Sequence, residues 1–342
     1  MFKTYSIFLI VFVDNEVNLI EDTMAGVLEQ TYPHSEMRVL FMDNASTDGS
    51  YEKILDYIER YPALVSVYRM GRPTKPARML KQVARYLRFS PVHFIMFLHP
   101  GDRLYPEFIN KAVGLMHMNG EISAVYSNID ICHADKSIEK QKAIFTDNCI
   151  IDKEVNYGLF FDAGIGAKVQ ALFRGLQPNA LERLVDMEKR IDRNDWMSAA
   201  FPSGGKIVYL TESMGYMLER ESYDIMFDLM TKAYSLKSQF YMTETVANYT
   251  ERQRKDRRDM EAAYRCLAKN ALLYAYEAER NRNRRLAEQC LMVAEMMCLD
   301  IVEEEAYVLL HQAIQDDKIP EMEIKDRLKM NSVKPPRDCF IF

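Results

Sequence analysis

Glu36-Met37-Arg38-Val39-Leu40-Phe41-Met42-Asp43-Asn44-Ala45-Ser46-Thr47-Asp48-Gly49-Ser50 contains the end of one element and the start of another. The apolar run Val39 to Met42 stops at Asp43, the turn formers Asn44, Ser46, Asp48 and Gly49 follow, and a helical pattern begins at Tyr51. This reads as a buried strand that ends in a carboxylate. In open α/β sheets, ligands occupy the crevice beyond the carboxyl ends of the strands, so Asp43 faces the place of a ligand. The competing reading makes it a turn or helix cap.

Working outward, residues 5–13 are apolar with hardly a polar break, as a parallel strand covered on both faces requires. Leu19, Thr23 and Val27, with Ile20, Met24 and Leu28, recur at helical spacing up to Tyr32-Pro33. Tyr51, Ile54, Leu55 and Ile58 mark a second helix, 64–68 a third strand, 79–87 a third helix and 93–98 a central fourth strand. Such alternation predicts an α/β fold with right-handed crossovers and a mostly parallel sheet. From about 123 to 220 the pattern is mixed, with strands at 123–128 and 206–210 and a helix at 179–188. Beyond about 221, segments 224–233 and 256–315 read as helices, and no Gly follows Gly215. Met292, Met296, Leu299 and Val302 form apolar stripes that predict a helical core. The expected division is 1–220, a helical C-terminal region over 221–330, and a tail over 331–342 containing Pro335-Pro336.

The segment Met42 to Ser50 resembles the Val-Asp-Asp-Gly-Ser-Thr-Asp-Gly-Ser stretch of family 2 glycosyltransferases. Upstream, Val13-Asp14-Asn15-Glu16-Val17-Asn18-Leu19 is similar to that family's Tyr-Asn-x-Glu-x-Asn-Leu, and Gln30-Thr31-Tyr32-Pro33 repeats its Gln-Thr-Tyr-Pro helix exit. The resemblance covers about 4–220 and is densest in the first half. It implies the GT-A fold over 1–220, with a Rossmann-like nucleotide half continuous with an acceptor half. It also implies inverting transfer of a sugar from a nucleotide-diphosphate donor to a carbohydrate acceptor, in bacterial surface-polysaccharide assembly.

On this resemblance Asp43 recognises uracil, which favours a uridine diphosphate donor. Val11 and Val13 stand where the family has Pro and Tyr, so the first strand contributes backbone and no aromatic wall. The fourth strand runs into His99-Pro100-Gly101-Asp102-Arg103-Leu104-Tyr105-Pro106, where the family carries Asp-x-Asp-Asp. His99 and Gly101 replace the first two acids, the second of which binds the divalent cation. Asp102 remains as a metal ligand or a cap of the next helix, and His99 as a ligand of manganese or a phosphate contact. Magnesium or manganese is thus implied, but with an altered motif. Arg69, Arg72, Lys75 and Arg78 offer positive charge to the diphosphate, or form a solvated basic loop; Arg220 is a further phosphate candidate. Asp192-Arg193-Asn194-Asp195-Trp196 is similar to the family's Glu-Asp-Trp, which implies Asp195 as the catalytic base, against a plain helix N-cap, and Trp196 as an acceptor platform or core residue. Phe201 stands where the family's later Arg is expected.

With 342 residues the chain can bury a sizeable core, and its formal charge of -6 argues against a general nucleic-acid binder. Cys132, Cys149, Cys266, Cys290, Cys298 and Cys339 are scattered without a Cys-x-x-Cys pair, which suggests a reducing compartment. Asp14 and Glu16 follow the first apolar run where a signal peptide needs a small-residue cleavage site, and no stretch is long enough to span a bilayer. A cytoplasmic protein is expected. Residues 251–289 carry eleven Lys or Arg against seven Asp or Glu. They read as a solvated helix face or as a peripheral contact with anionic lipid at the inner face of the membrane, where lipid-linked glycans grow. The rival functional class is a non-catalytic relative that binds a nucleotide sugar weakly or not at all.

Overall fold

The computed structural model describes residues 6–74, 76–89, 92–143, 145–152, 169–174, 206–218, 258–328 and 339–342. Its first half follows the expected alternation: β1 (Ile7–Val13), α1 (Ile20–Leu28), β2 (Met37–Asp43), α2 (Ser50–Arg60), β3 (Val65–Arg69), α3 (Pro76–Phe89) and β4 (Phe94–Leu98). Every residue of β1 is buried, because helices cover both faces. Ile7, Leu9, Val11 and Val13 pack with α1 and α2, and Phe8, Ile10 and Phe12 pack with α3.

Next come β5 (Arg103–Leu104), α4 (Phe108–Met118), β6 (Ile122–Cys132), β7 (Ile138–Glu139), β8 (Cys149–Asp152), β9 (Val169–Arg174) and β10 (Lys206–Leu218). The sheet order is β11-β8-β10-β6-β9-β4-β1-β2-β3, where β11 is Phe340–Ile341. β1, β2, β3 and β4 are mutually parallel, β9 is antiparallel to both β4 and β6, and β10 is parallel to β6. The carboxyl ends of β1 to β4, β6 and β10 therefore lie along one edge. This is a GT-A architecture, mostly parallel at its core.

The remaining described helices are α5 (Arg258–Arg280), α6 (Arg284–Met297), α7 (Glu305–Gln315) and α8 (Met322–Leu328), with a 3-10 turn at Leu299–Glu303. They enclose a separate cluster that includes Ala268, Leu272, Tyr276, Leu291, Leu310 and Ile314. The expected stripe is not part of it. Met292, Met296, Leu299 and Val302 are 61%, 75%, 82% and 41% exposed, because α6 turns Ala287, Cys290, Leu291 and Ala294 inward instead. Small side chains on that inward face, Ala287 and Ala294, allow the close approach to α5. The expected helices at 179–188 and 224–233, and the proposed boundaries at 220 and 330, lie outside the described residues. Within the expected tail, Phe340 and Ile341 pair with β8.

Backbone crowding holds the edge of the sheet. Gln30, buried at the exit of α1, donates to the carbonyls of Gly26 (3.0 Å) and Tyr105 (2.8 Å) and accepts from Ile109 N–H (3.2 Å). A Cβ on Gly26 would meet Leu104 N at 2.7 Å, and one on Gly215 would meet Arg103 O at 2.5 Å, so β5 is gripped between α1 and β10. Gly215→Ala should cost about 1–3 kcal/mol through overpacking against backbone that cannot rotate away. Thermal unfolding checks this, and an unchanged midpoint would show that β5 is not confined there.

Candidate functional site

At the shared edge, the loop after β1 and the loop after β2 are laced together. Asn15 N–H donates to Ser46 Oγ (3.0 Å), Glu16 N–H to Ser50 Oγ (3.0 Å) and Val17 N–H to Asp48 Oδ2 (2.9 Å). In return, Thr47 N–H donates to Asn15 Oδ1 (2.8 Å). Asn15 and Ala45 adopt left-handed backbone (φ 58 and 59), as does Gly49 (φ 94). Non-glycine residues do this at a cost, which the lacing offsets. Burial raises the Asp48 carboxyl, but donors from Ser50 and Val17 outweigh it and leave the group below its ordinary value.

Asp43 ends β2 with 0% exposure. Its Oδ1 accepts Ser46 N–H (3.2 Å), and Arg69 Nε lies 3.2 Å from Oδ2, which pairs the charges. That approach is off the axis of a hydrogen bond, so Oδ2 is a buried acceptor whose charge is compensated and whose lone pairs are not used. Arg69 also donates to Ser46 O (2.8 Å) and lies 4.1 Å from the centroid of the Tyr51 ring. Beside it, the Asn44 side chain bridges Asp14 Oδ2 (2.9 Å) and both backbone groups of Thr74 (3.1 and 2.8 Å), tying the β3–α3 loop to the edge.

The turn after β4 lies two strands away, about 10 Å across the sheet. Asp102 accepts His99 N–H through Oδ2 (3.0 Å) and Leu218 N–H through Oδ1 (3.4 Å). Thr23 Oγ1 donates to His99 O (3.2 Å) and accepts from Gly101 N–H (2.9 Å). Gly101 has φ +90, and a Cβ there would lie 2.9 Å from Leu218 Cδ2. An acid at position 101 would thus be strained by its backbone and crowded by β10. Among the described residues no three His, Cys, Asp or Glu side chains are grouped to hold a metal ion. His99 and Gly101 add no carboxylate beside Asp102, which caps this turn through both of its oxygens. It is not the cap of α4, which begins at Phe108 after Glu107.

Further along the edge, Asp130 of β6 is fully buried. It accepts from Ser213 Oγ (2.7 Å), Tyr105 OH (3.1 Å) and Lys140 Nζ (2.6 Å). Burial raises its carboxyl, but these donors outweigh it and hold the group below the usual carboxylate value. The Tyr105 hydroxyl is pushed up to about 12 by burial and by the Asp130 charge.

Of the residues named from sequence, Asp43, Asp102 and His99 are brought to one edge. Val11 and Val13 are core side chains, and Val13 offers its carbonyl to Asn44 N–H (2.8 Å). Arg72 and Arg78 are exposed, whereas Arg69 is committed to Asp43. Lys75, Asp195, Trp196 and Arg220 lie outside the described residues. The Asp130 cluster was missed, although polar residues at 128 and 130 in an apolar strand, spaced by two on one face, were its signal. In the basic stretch 251–289, Arg265 and Lys269 pair with Glu304, and Arg284 with Glu279 and Asp317, so acids outside the stretch answer part of its charge. No described helix is long and apolar enough to cross a membrane.

Residues 8–175 match the family model for glycosyl transferase family 2. No curated protein matches the chain. Among solved structures, S. aureus TarS 1-349 has a TM-score of 0.51 at 13% identity, covering 85% of this chain and 90% of that one. The same TarS fragment in complex with UDP-GlcNAc has a TM-score of 0.50 at 11% identity, covering 92% of each chain. The mannosyltransferase PcManGT of Pyrobaculum calidifontis, in complex with GDP-Man and Mn2+, has a TM-score of 0.50 at 14% identity, covering 95% of this chain and 85% of that one. At these identities the likeness is one of fold.

The depressed Asp130 carboxyl sets a pH dependence. Its folded pKa lies below the unfolded value, so its contribution is complete above about pH 4 and is lost as pH falls through the folded pKa. Asp130→Asn should cost about 1–3 kcal/mol at neutral pH. Denaturant titrations of both proteins should converge as the solution is acidified; a constant gap would assign the loss to packing instead.

Proposed function

We propose that the protein, whose residues 8–175 match the family model for glycosyl transferase family 2, transfers a sugar, with inversion, from a uridine diphosphate donor to a carbohydrate acceptor. The observation that carries the donor reading is Asp43 Oδ2, a buried acceptor at the ligand-bearing edge that no hydrogen bond in the described residues uses. A uracil N–H supplies the missing donor. Structures of this fold hold both UDP-GlcNAc and GDP-Man, so the fold alone does not select the base and the side chain must.

In the proposed reaction, an acceptor hydroxyl oxygen attacks the anomeric carbon opposite the diphosphate. The carbon–oxygen bond to the diphosphate breaks, its electron pair leaves with the nucleotide, and the Asp195 carboxylate takes the hydroxyl proton. Arg78 and Arg220 are assigned to the diphosphate, since Arg69 already serves Asp43. No cation is assigned a step, because His99, Gly101 and Asp102 do not present a ligand set. The acceptor is proposed to be a glycan or lipid-linked glycan of a surface polysaccharide, reached from the cytoplasm. Peripheral lipid contact through 251–289 would compete with the ion pairs of Arg265, Lys269 and Arg284.

A second reading, a non-catalytic relative, is favoured by the replaced metal acids and by the Arg69 cover on Asp43. Release of uridine diphosphate from a donor sugar, measured with and without manganese, separates the two: release in both conditions supports the enzyme, and none in either supports the relative.

Uridine diphosphate should raise the unfolding temperature without added metal, and more than guanosine diphosphate does, because a ligand that binds only the folded state stabilises it. Asp43→Asn should remove that preference, and equal shifts by the two nucleotides would refute the base assignment. Manganese should enlarge the uridine diphosphate shift only slightly.

Asp195→Asn should abolish transfer while leaving donor affinity nearly unchanged, since a general base acts in the transition state and contributes about a hundred- to ten-thousand-fold in rate. Calorimetry reads the affinity and released nucleotide reads the turnover. Retention of more than about a tenth of wild-type turnover, well above what loss of a base permits, would place the base elsewhere.

A further inference from the structure

Cys149 opens β8 and Cys339 immediately precedes β11, and these strands pair antiparallel with Phe340 opposite Ile150 and Ile341 opposite Cys149. Side chains alternate along a strand, so Cys149 shares a face with Cys339 and the two are diagonal neighbours. That face packs on the core of Phe145, Ile151 and Tyr209, where Cys149 is buried and Cys339 half-buried. Both are thiols. None of the glycosyltransferase chemistry uses them.

We propose that Cys149 and Cys339 are an oxidation site, at which hydrogen peroxide joins them in a disulfide that ties β11 to the sheet. Cys339 is the more exposed of the two, so it reacts first. Its sulfur attacks one peroxide oxygen, the O–O bond breaks, and the departing hydroxide leaves as water, which gives a sulfenic acid. The Cys149 sulfur then attacks the sulfenic sulfur, and its proton departs with the hydroxyl as a second water. Two thiols have lost two electrons and two protons, and the peroxide has become two waters. Burial, together with the neighbouring Cys339, pushes the Cys149 thiol up to about 12, which suits it to resolving and not to first attack.

Diagonal neighbours lie about 7–8 Å apart, beyond what a disulfide bridges without backbone movement. β11 can supply the movement: it is two residues long and β8 is its only partner among the described strands, whereas β8 is also held by β10. Phe340 and Ile341 are 66% and 54% exposed, so only the half-buried Cys339 leaves core packing in the shift.

The full chain, treated with hydrogen peroxide, alkylated and mapped by mass spectrometry without reduction, tests this. The expected result is loss of two hydrogens, a linked peptide pair containing Cys149 and Cys339, reversal by dithiothreitol, and slower amide exchange at 149–152 and 340–341. In Cys149→Ser, Cys339 should instead be trapped as the sulfenic acid by dimedone. A different linked pair in the unsubstituted protein, or oxidation of Cys339 past the sulfenic acid with no link, overturns the proposal.

Discussion

A charge without access to water must be answered by the protein, and the Asp43 carboxylate imposes that requirement on the whole edge. An uncompensated buried ion costs several kcal/mol, so β3 must end with its Arg69 beside β2. Parallel pairing delivers this, with Asp43 in register with Arg69 across β2 and β3 and with Val13 across β1 and β2. Ser46 then serves three neighbours: its N–H goes to Asp43, its carbonyl receives Arg69 and its hydroxyl receives Asn15 N–H. The left-handed residues Asn15 and Ala45 are held by the same bonds. A buried carboxylate and two strained loops are therefore mutually supporting, which is the arrangement that tolerates local strain at a binding edge.

The turn after β4 solves a different problem. It must stop a central strand at the same edge and turn the chain back into β5 within a few residues. Thr23 of α1 gives it one donor and one acceptor, Asp102 takes the N–H groups of His99 and Leu218, and Gly101 supplies the positive φ. Every one of these interactions is internal to the protein. A turn organised in this way keeps its shape without a cation, and its glycine leaves no room for a larger side chain beside Leu218.

Much of this was legible in the sequence. Uninterrupted apolar runs identified β1, β2 and β4, since only strands covered on both faces tolerate them, and the abrupt change at Asp43 located the edge. What was not legible depended on partners far along the chain. Arg69 looked like one of four loop cations, and only the β2–β3 register shows that it closes over Asp43. β10 read as 206–210 but continues to Leu218, because Thr211, Glu212 and Ser213 mark a bulge and not an end. β6 continues past Asn128 because Asp130 finds three internal donors. The apolar face of Met292 and Met296 was misassigned because periodicity reports that a face exists and not whether it is covered.

The two halves of the edge use one device twice. Asp43 and Asp130 are each fully buried, and each is answered by a cation that solvent still reaches, Arg69 at 39% and Lys140 at 73% side-chain exposure. Burying both partners of such a pair would double the desolvation cost, whereas leaving the cation outside keeps its hydration. Arg69 and Lys140 are therefore bound firmly enough to hold the carboxylates and are still accessible to another anion.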